Sequence, residues 1–151
     1  MRRVVHCSTV LLLLWSGLVW SAEGLITVKS PYRAKETADR IEAVVKQKGL
    51  NLFARIDHAA GAAKIGKTLR PTEVLIFGNP QGGTPLMECV QTAGIDLPLK
   101  MLVWEDKTGQ VWLAYNDPAY LAKRHQAANC GNVVEAMSKA LGGVAQGVIG
   151  R

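Results

Sequence analysis

The stretch from Thr72 to Glu88 constrains this chain more than any other. It reads Thr-Glu-Val-Leu-Ile-Phe-Gly-Asn-Pro-Gln-Gly-Gly-Thr-Pro-Leu-Met-Glu. Val74, Leu75, Ile76 and Phe77 are consecutive apolar residues, which suits a strand covered on both faces. Gly78, Gly82 and Gly83 interrupt regular structure and admit positive φ. Thr84 then suits a helix N-cap, with Pro85 at the first helical position, where a missing N–H costs nothing. The rest of the chain can be placed around this strand, glycine-rich turn and capped helix. The unit by itself names no reaction.

Before it, Leu25 to Val28 is a short β-branched run ended by Lys29-Ser-Pro31. Ala34, Ala38, Ile41 and Val45 repeat at helical spacing and predict a helix from Ala34 to Lys48, stopped at Gly49. Leu50 to His58 alternates as a strand, with Leu52, Ala54, Ile56 and His58 on one side and Phe53, Arg55 and Asp57 on the other. Ala59 to Ala63 reads as a short helix. After the Thr84-capped helix, Leu99–Trp104 and Val111–Tyr115 flank Glu105-Asp-Lys-Thr-Gly-Gln110, a hairpin signal with Gly109 at a left-handed position. Setting Glu105 opposite Gln110 pairs Trp104 with Val111, Leu102 with Leu113 and Val103 with Trp112. Asp117-Pro118 starts another helix, and a last helix runs from about Asn132 to Leu141. The glycine-rich stretch Gly142 to Arg151 reads as a fraying tail. The order predicts an α+β fold of two layers, with a mixed or mainly antiparallel curved sheet and helices packed on one face.

The 151 residues allow one domain. Arg2 and Arg3 precede an apolar run from Val10 to Trp20, followed by Ser21 and Ala22: the layout of a secretory signal peptide over residues 1–21, cleaved after Ser21. The run falls short of the ~20 apolar residues that span a bilayer. The reading is therefore a periplasmic or secreted soluble chain, with a domain over 22–126, a C-terminal helix and tail over 127–151, and no membrane partner after cleavage. Losing the two arginines takes the formal charge from +6 to +4. The remaining cations are scattered and not interleaved with aromatics, so no nucleic-acid surface is read.

Ser30-Pro31, Arg55-Ile-Asp-His-Ala-Ala-Gly61, Arg70 to Pro80, Gly83-Thr-Pro-Leu-Met87, Asp96 to Asp106, Val111 to Pro118 and Tyr120 to His125 together resemble the family known as domain of unknown function 302. The resemblance covers about Leu25 to His125. It implies an α+β fold with a curved antiparallel sheet, members that are often dimers, and no established activity, substrate or cofactor. Family members often place a small polar residue ahead of the first helix. Arg33 stands there in this chain.

The candidate residues fall into four groups. Asn79, Gly82, Gly83 and Thr84 lead into a helix N-terminus whose N–H groups could hold an anion, although the P-loop ending is missing. His58 could work with Asp57 or Glu105 as an acid–base pair, but no ligand spacing ties these groups together. Trp104, Trp112 and Tyr115, with Tyr120, gather near the hairpin and could line an apolar pocket or a dimer interface. Cys89 and Cys130 are the only cysteines left after the leader, and an oxidising compartment favours a bridge between them over two free thiols.

The leading functional reading is an exported, non-enzymatic domain that binds a small ligand or partner as a homodimer. The alternatives are a hydrolase-like or other enzyme built on His58 and a carboxylate, and a structural envelope component. The sequence assigns no catalytic residue, metal or cofactor.

Overall fold

Helix α1 (Ala34–Gln47) and helix α5 (Val133–Ile149) lie on one face of a five-stranded sheet, and the core forms between them and it. The computed structural model describes residues 22–150, so the leader expected over residues 1–21 lies outside the described residues. The strands are β1 (Leu25–Lys29), β2 (Asn51–Asp57), β3 (Thr72–Gly78), β4 (Leu99–Glu105) and β5 (Val111–Asn116). They run in the order β1-β5-β4-β3-β2, and every neighbouring pair is antiparallel. The fold is α+β with two layers, and its sheet is wholly antiparallel.

α1 buries the stripe Ala38, Ile41, Val44 and Val45, together with Thr37. Thr37 is tolerated there because its hydroxyl shares a 2.7 Å hydrogen bond with Ser30, the other buried polar residue among the described residues. Arg33 gives α1 no side-chain cap. Against this helix the sheet sets Leu75, Phe77, Met101, Val103 and Leu113, none more than 1 % exposed.

β3 departs from the doubly covered strand expected of it. Leu75 and Phe77 are enclosed, whereas Val74 and Ile76 are only half-buried on the open side of the sheet. A run of four apolar residues does not say whether one face or two is covered.

The hairpin forms one residue away from the expected register: Glu105 pairs with Val111, Trp104 with Trp112, Val103 with Leu113 and Leu102 with Ala114. The turn decides this. Asp106 N–H donates to the Gln110 carbonyl at 2.9 Å, which closes a three-residue loop with Gly109 at φ 81°. A single-residue slip moves side chains across the sheet. Here it puts both tryptophans on the open face and Val103 with Leu113 in the core.

β2 carries an irregularity between Leu52 and Ala54, with Phe53 as the extra residue. The simple alternation is lost: Leu52 and Arg55 turn to the helical side, Ala54 and Ile56 to the open side. His58 does not continue the strand but opens α2 (His58–Lys64), with Asp57 as its N-cap.

Helix α3 begins at Pro80 rather than after Thr84, and runs to Cys89. Asn79 is the cap, its Oδ1 accepting from Gly82 N–H at 2.8 Å, and Pro80 takes the first helical position. Asn79-Pro80 and Thr84-Pro85 offer the same signal, and the earlier pair is used. Gly82 and Gly83 are therefore helical, and Pro85, having no N–H, cannot supply the i+4 donor to the carbonyl of the exposed Gln81. A 3-10 turn over Gln91–Ile95 follows, and α4 spans Pro118–Arg124.

The glycine-rich stretch does not fray up to Ile149. It continues α5, and Val144, Ala145 and Val148 are enclosed in the main core. Gly147 lies where a Cβ would come within 2.9 Å of Val44 Cγ1. Glycine permits this close approach of α5 to α1.

Candidate ligand-binding cleft

The end of the sheet where β3 finishes is open. There β2 and β4 begin, and α3 and α5 close over the gap to leave a cleft of about 620 Å³. Leu50 and Phe53 contribute from the start of β2, Leu97, Pro98 and Leu99 from the entry to β4, Met87 from α3, and Ala136, Met137 and Ala140 from α5. The polar rim comes from Asn79, Gln81 and Thr84, with the backbone of Gly82 and Gly83 beside them. A concave, largely apolar site of this size with a few polar groups at one side has the form of a small-molecule site.

Local chemistry accounts for each wall. The Phe53 irregularity breaks the strand at its first turn and throws the ring outward, 55 % exposed. Asn79-Pro80 starts α3 directly after β3, so the helix leaves from the cleft floor. Gly83 carries no side chain, and Leu97 Cδ1 sits 3.6 Å from where its Cβ would be. Cys89 ends α3 and Cys130 lies just ahead of α5, their sulfurs 2.04 Å apart and their Cα atoms 5.6 Å apart. This pair sits between the C-terminus of α3 and the segment leading into α5, the two helices that flank the cleft.

The candidate residues separate into distinct places. Asn79, Gly82, Gly83 and Thr84 converge on the cleft. His58 lies at the opposite end of β2, exposed, and no hydrogen bond or ion pair joins it to Asp57 or Glu105 among the described residues. The Asp57 carboxylate is used as a cap, accepting from Ala60 N–H at 2.8 Å. Trp104 and Trp112 stack on the open face with centroids 6.2 Å apart, and Lys29 Nζ lies 5.4 Å from the Trp112 ring centroid. Tyr115 pairs with Ile26 and is buried in the core. None of the three aromatics lines the cleft. Among the described residues no three His, Cys, Asp or Glu side chains gather as a metal site.

Two polar clusters were not legible from spacing. Arg55 binds Glu73 through two nitrogens, at 2.6 and 3.1 Å, and reaches Asp39 and Glu42 on α1 at 2.9 Å each. Glu73 foremost, against the opposing effect of burial, raises the affinity of this guanidinium for its proton. His125 Nε2 lies 2.6 Å from Asp96 Oδ2, both side chains largely buried. Lys100 Nζ donates to the carbonyls of Asp96 and Pro98, and burial lowers its pKa.

Comparison with known proteins settles the family. The model named Domain of unknown function DUF302 matches residues 26–144. The chain belongs to the DUF302 family. A solved DUF302 protein described as uncharacterized and conserved, from Bacillus stearothermophilus, superposes with a TM-score of 0.76 at 20 % identity. The likeness covers 84 % of this chain and 99 % of that one, and at such identity it speaks for the fold. Over 102 residues, 68 % of its length, the chain is 54 % identical to Fluoride-specific ion channel FluC 1 of Brucella suis biovar 1 (strain 1330). The same identity and span hold for Fluoride-specific ion channel FluC 2 of Brucella melitensis biotype 1. This DUF302 chain spans about two fifths of the length of those curated relatives, 40 % and 38 %.

Proposed function

We propose that this DUF302 protein is an exported binding module whose cleft takes a small, mostly apolar ligand, without catalysis. The observation that carries the reading is the 620 Å³ cleft with its apolar walls and one polar rim. Leu50, Phe53, Met87, Leu97 and Met137 offer the apolar contact. Asn79, Gln81 and Thr84 fix orientation from one side, the division of labour usual in such sites. The methionines suit a site that adapts to its ligand. Export would oxidise Cys89 and Cys130 and so brace the two cleft helices. N-terminal sequencing of protein recovered from the periplasm or medium tests this: a start near Ala22 supports it, and retention of Met1 to Trp20 counts against it.

Native mass spectrometry of protein purified from its host tests the cleft, because it reports a retained ligand and the oligomer together. Ala140→Trp and Ala136→Trp fill the cleft from α5 at positions that are not enclosed. Loss of the retained mass, or of an added naphthylamine dye's fluorescence, in both variants supports the assignment. Undiminished binding in both removes it.

We also propose a homodimer formed through the open sheet face. Val74, Ile76, Leu102, Trp104 and Trp112 are half-buried there, while α1 and α5 occupy the other face. Burying one large side chain of this set would contribute about 1.5–3 kcal/mol. Trp104→Lys and Trp112→Lys should each weaken the dimer in sedimentation. A wild-type chain that stays monomeric at high concentration removes this reading. The Brucella relatives named as ion channels add support for a module that works beside a membrane.

A further inference from the structure

The loop from α2 to β3 leaves its aliphatic side chains in water. Lys64-Ile-Gly-Lys-Thr-Leu-Arg70 contains three cations and no acid. Ile65 is 74 % exposed and Leu69 46 %. This exposure is built in at both ends of the loop. Gly66, at φ 69°, donates to the Ala63 carbonyl and Lys67 N–H to the Ala62 carbonyl, each at 3.0 Å, the paired bonds of a Schellman stop. The apolar contact that often folds back over such a stop is missing, because Lys67 follows Gly66. At the other end Arg70 Nε donates to the Glu105 carbonyl at 3.0 Å, and Glu105 N–H donates to the Pro71 carbonyl at 2.9 Å.

The loop's charge is also uncompensated. Lys64 and Lys67 make no ion pair among the described residues. Of the neighbouring acids, Asp57 caps α2, Glu73 is held by Arg55, and Asp106 is held inside the hairpin turn. Glu105 alone lies close by, half-buried on β4.

We infer that this loop docks on an anionic phospholipid surface, with Ile65 and Leu69 entering the headgroup region and Lys64, Lys67 and Arg70 meeting the phosphates. Aliphatic side chains ringed by cations match such a surface in both charge and polarity. A second copy of the loop is a poor match, since three cations would face three. No described helix is long and apolar enough to cross a membrane. The loop sits at the start of β3 and the cleft at its end, so this inference does not rest on the cleft.

Co-sedimentation with phosphatidylcholine vesicles, with and without phosphatidylglycerol, tests it. The assay uses the chain as it is recovered from its host. Sedimentation with the anionic vesicles only, weakened by salt, is expected. Lys64→Gln with Lys67→Gln should lower partitioning about 25-fold, about fivefold for each cation. Ile65→Ser with Leu69→Ser should lower it by up to about 100-fold, about tenfold for each side chain withdrawn. All four positions are exposed, so the melting temperature should hold. Three results would overturn the inference: no sedimentation with anionic vesicles, equal sedimentation with neutral ones, or full binding by the Ile65→Ser/Leu69→Ser chain. A change in that variant's oligomeric state would overturn it too, by assigning the loop to a self-interface.

Discussion

Ending the chain after Leu141 removes a segment that reads as a glycine-rich tail and folds as the last two turns of α5. Val144 and Val148 are 0 % exposed and Ala145 3 %. Each valine contributes at least about 1.5 kcal/mol by its own burial, so the pair loses about 3 kcal/mol. The truncation also uncovers the α1 stripe. Ile41 and Val45 are 0 % exposed, and partial return of both to water adds about 2 kcal/mol. The sum of about 5 kcal/mol reaches the low end of the total stability of a small domain, about 5–15 kcal/mol. The expected result is a shortened chain that is unfolded or melts at least about 15 °C lower, at about 3 °C per kcal/mol for this size. Circular dichroism against temperature and urea reads this out. Removal of Gly150 and Arg151 alone is the control and should change little. A chain ending at Leu141 that melts within a few degrees of its parent would refute the reasoning. Gly147→Leu probes the same contact from the other side: Val44 is stiff and close, so overpacking should cost about 1–3 kcal/mol.

Asp106 accepts from the Thr108 hydroxyl at 2.6 Å and the Trp112 indole N–H at 2.8 Å, and from the N–H groups of Thr108 and Gln110. The Thr108 hydroxyl first and the Trp112 indole next hold its carboxyl well below the usual carboxylate range. A carboxyl depressed by folding stabilises the protein above its unfolded value, ~3.9. That stability is lost as pH falls further, and Asp106→Asn should flatten this part of an acid-unfolding curve. Arg55→Met leaves Glu73, 19 % exposed, without its partner, and should cost about 1–3 kcal/mol in urea unfolding. Adding Glu73→Met should recover most of that loss, since the unpaired carboxylate is gone. Intact mass before and after reduction reads the state of Cys89 and Cys130: a gain of two hydrogens marks a bridge. Such a bridge, closing a separation of 41 residues, contributes about 4 kcal/mol in the chain-entropy account.

Most of the polar rim of the cleft was legible. Asn79, Gly82, Gly83 and Thr84 stand out because cap, proline and glycine signals are local. Leu50, Leu97, Leu99 and Met137 were not legible, because they read as ordinary core residues and meet only after the strands pair. The one local hint was Phe53, an apolar ring on the side of the strand that otherwise carries Arg55 and Asp57. His58 and the tryptophans were singled out for their chemistry, which says nothing of where they end up.

The sequence by itself determined what short-range physics controls. α1 follows from its apolar stripe and stops at Gly49, the hairpin follows from Asp106 to Gly109, and α4 begins at Asp117-Pro118. It also determined the family, through the motifs strung from Ser30 to His125. Only the tertiary structure decided the choices that depend on distant partners. Asn79 rather than Thr84 caps α3, a choice between two similar local signals. Gly142 to Ile149 holds as helix because α1 presents Val44 at a distance only glycine allows. Helix propensity penalises the three glycines within α5 by about 1 kcal/mol each, about 3 kcal/mol together, and the gain of about 5 kcal/mol from burying Val144, Val148 and the α1 stripe outweighs it.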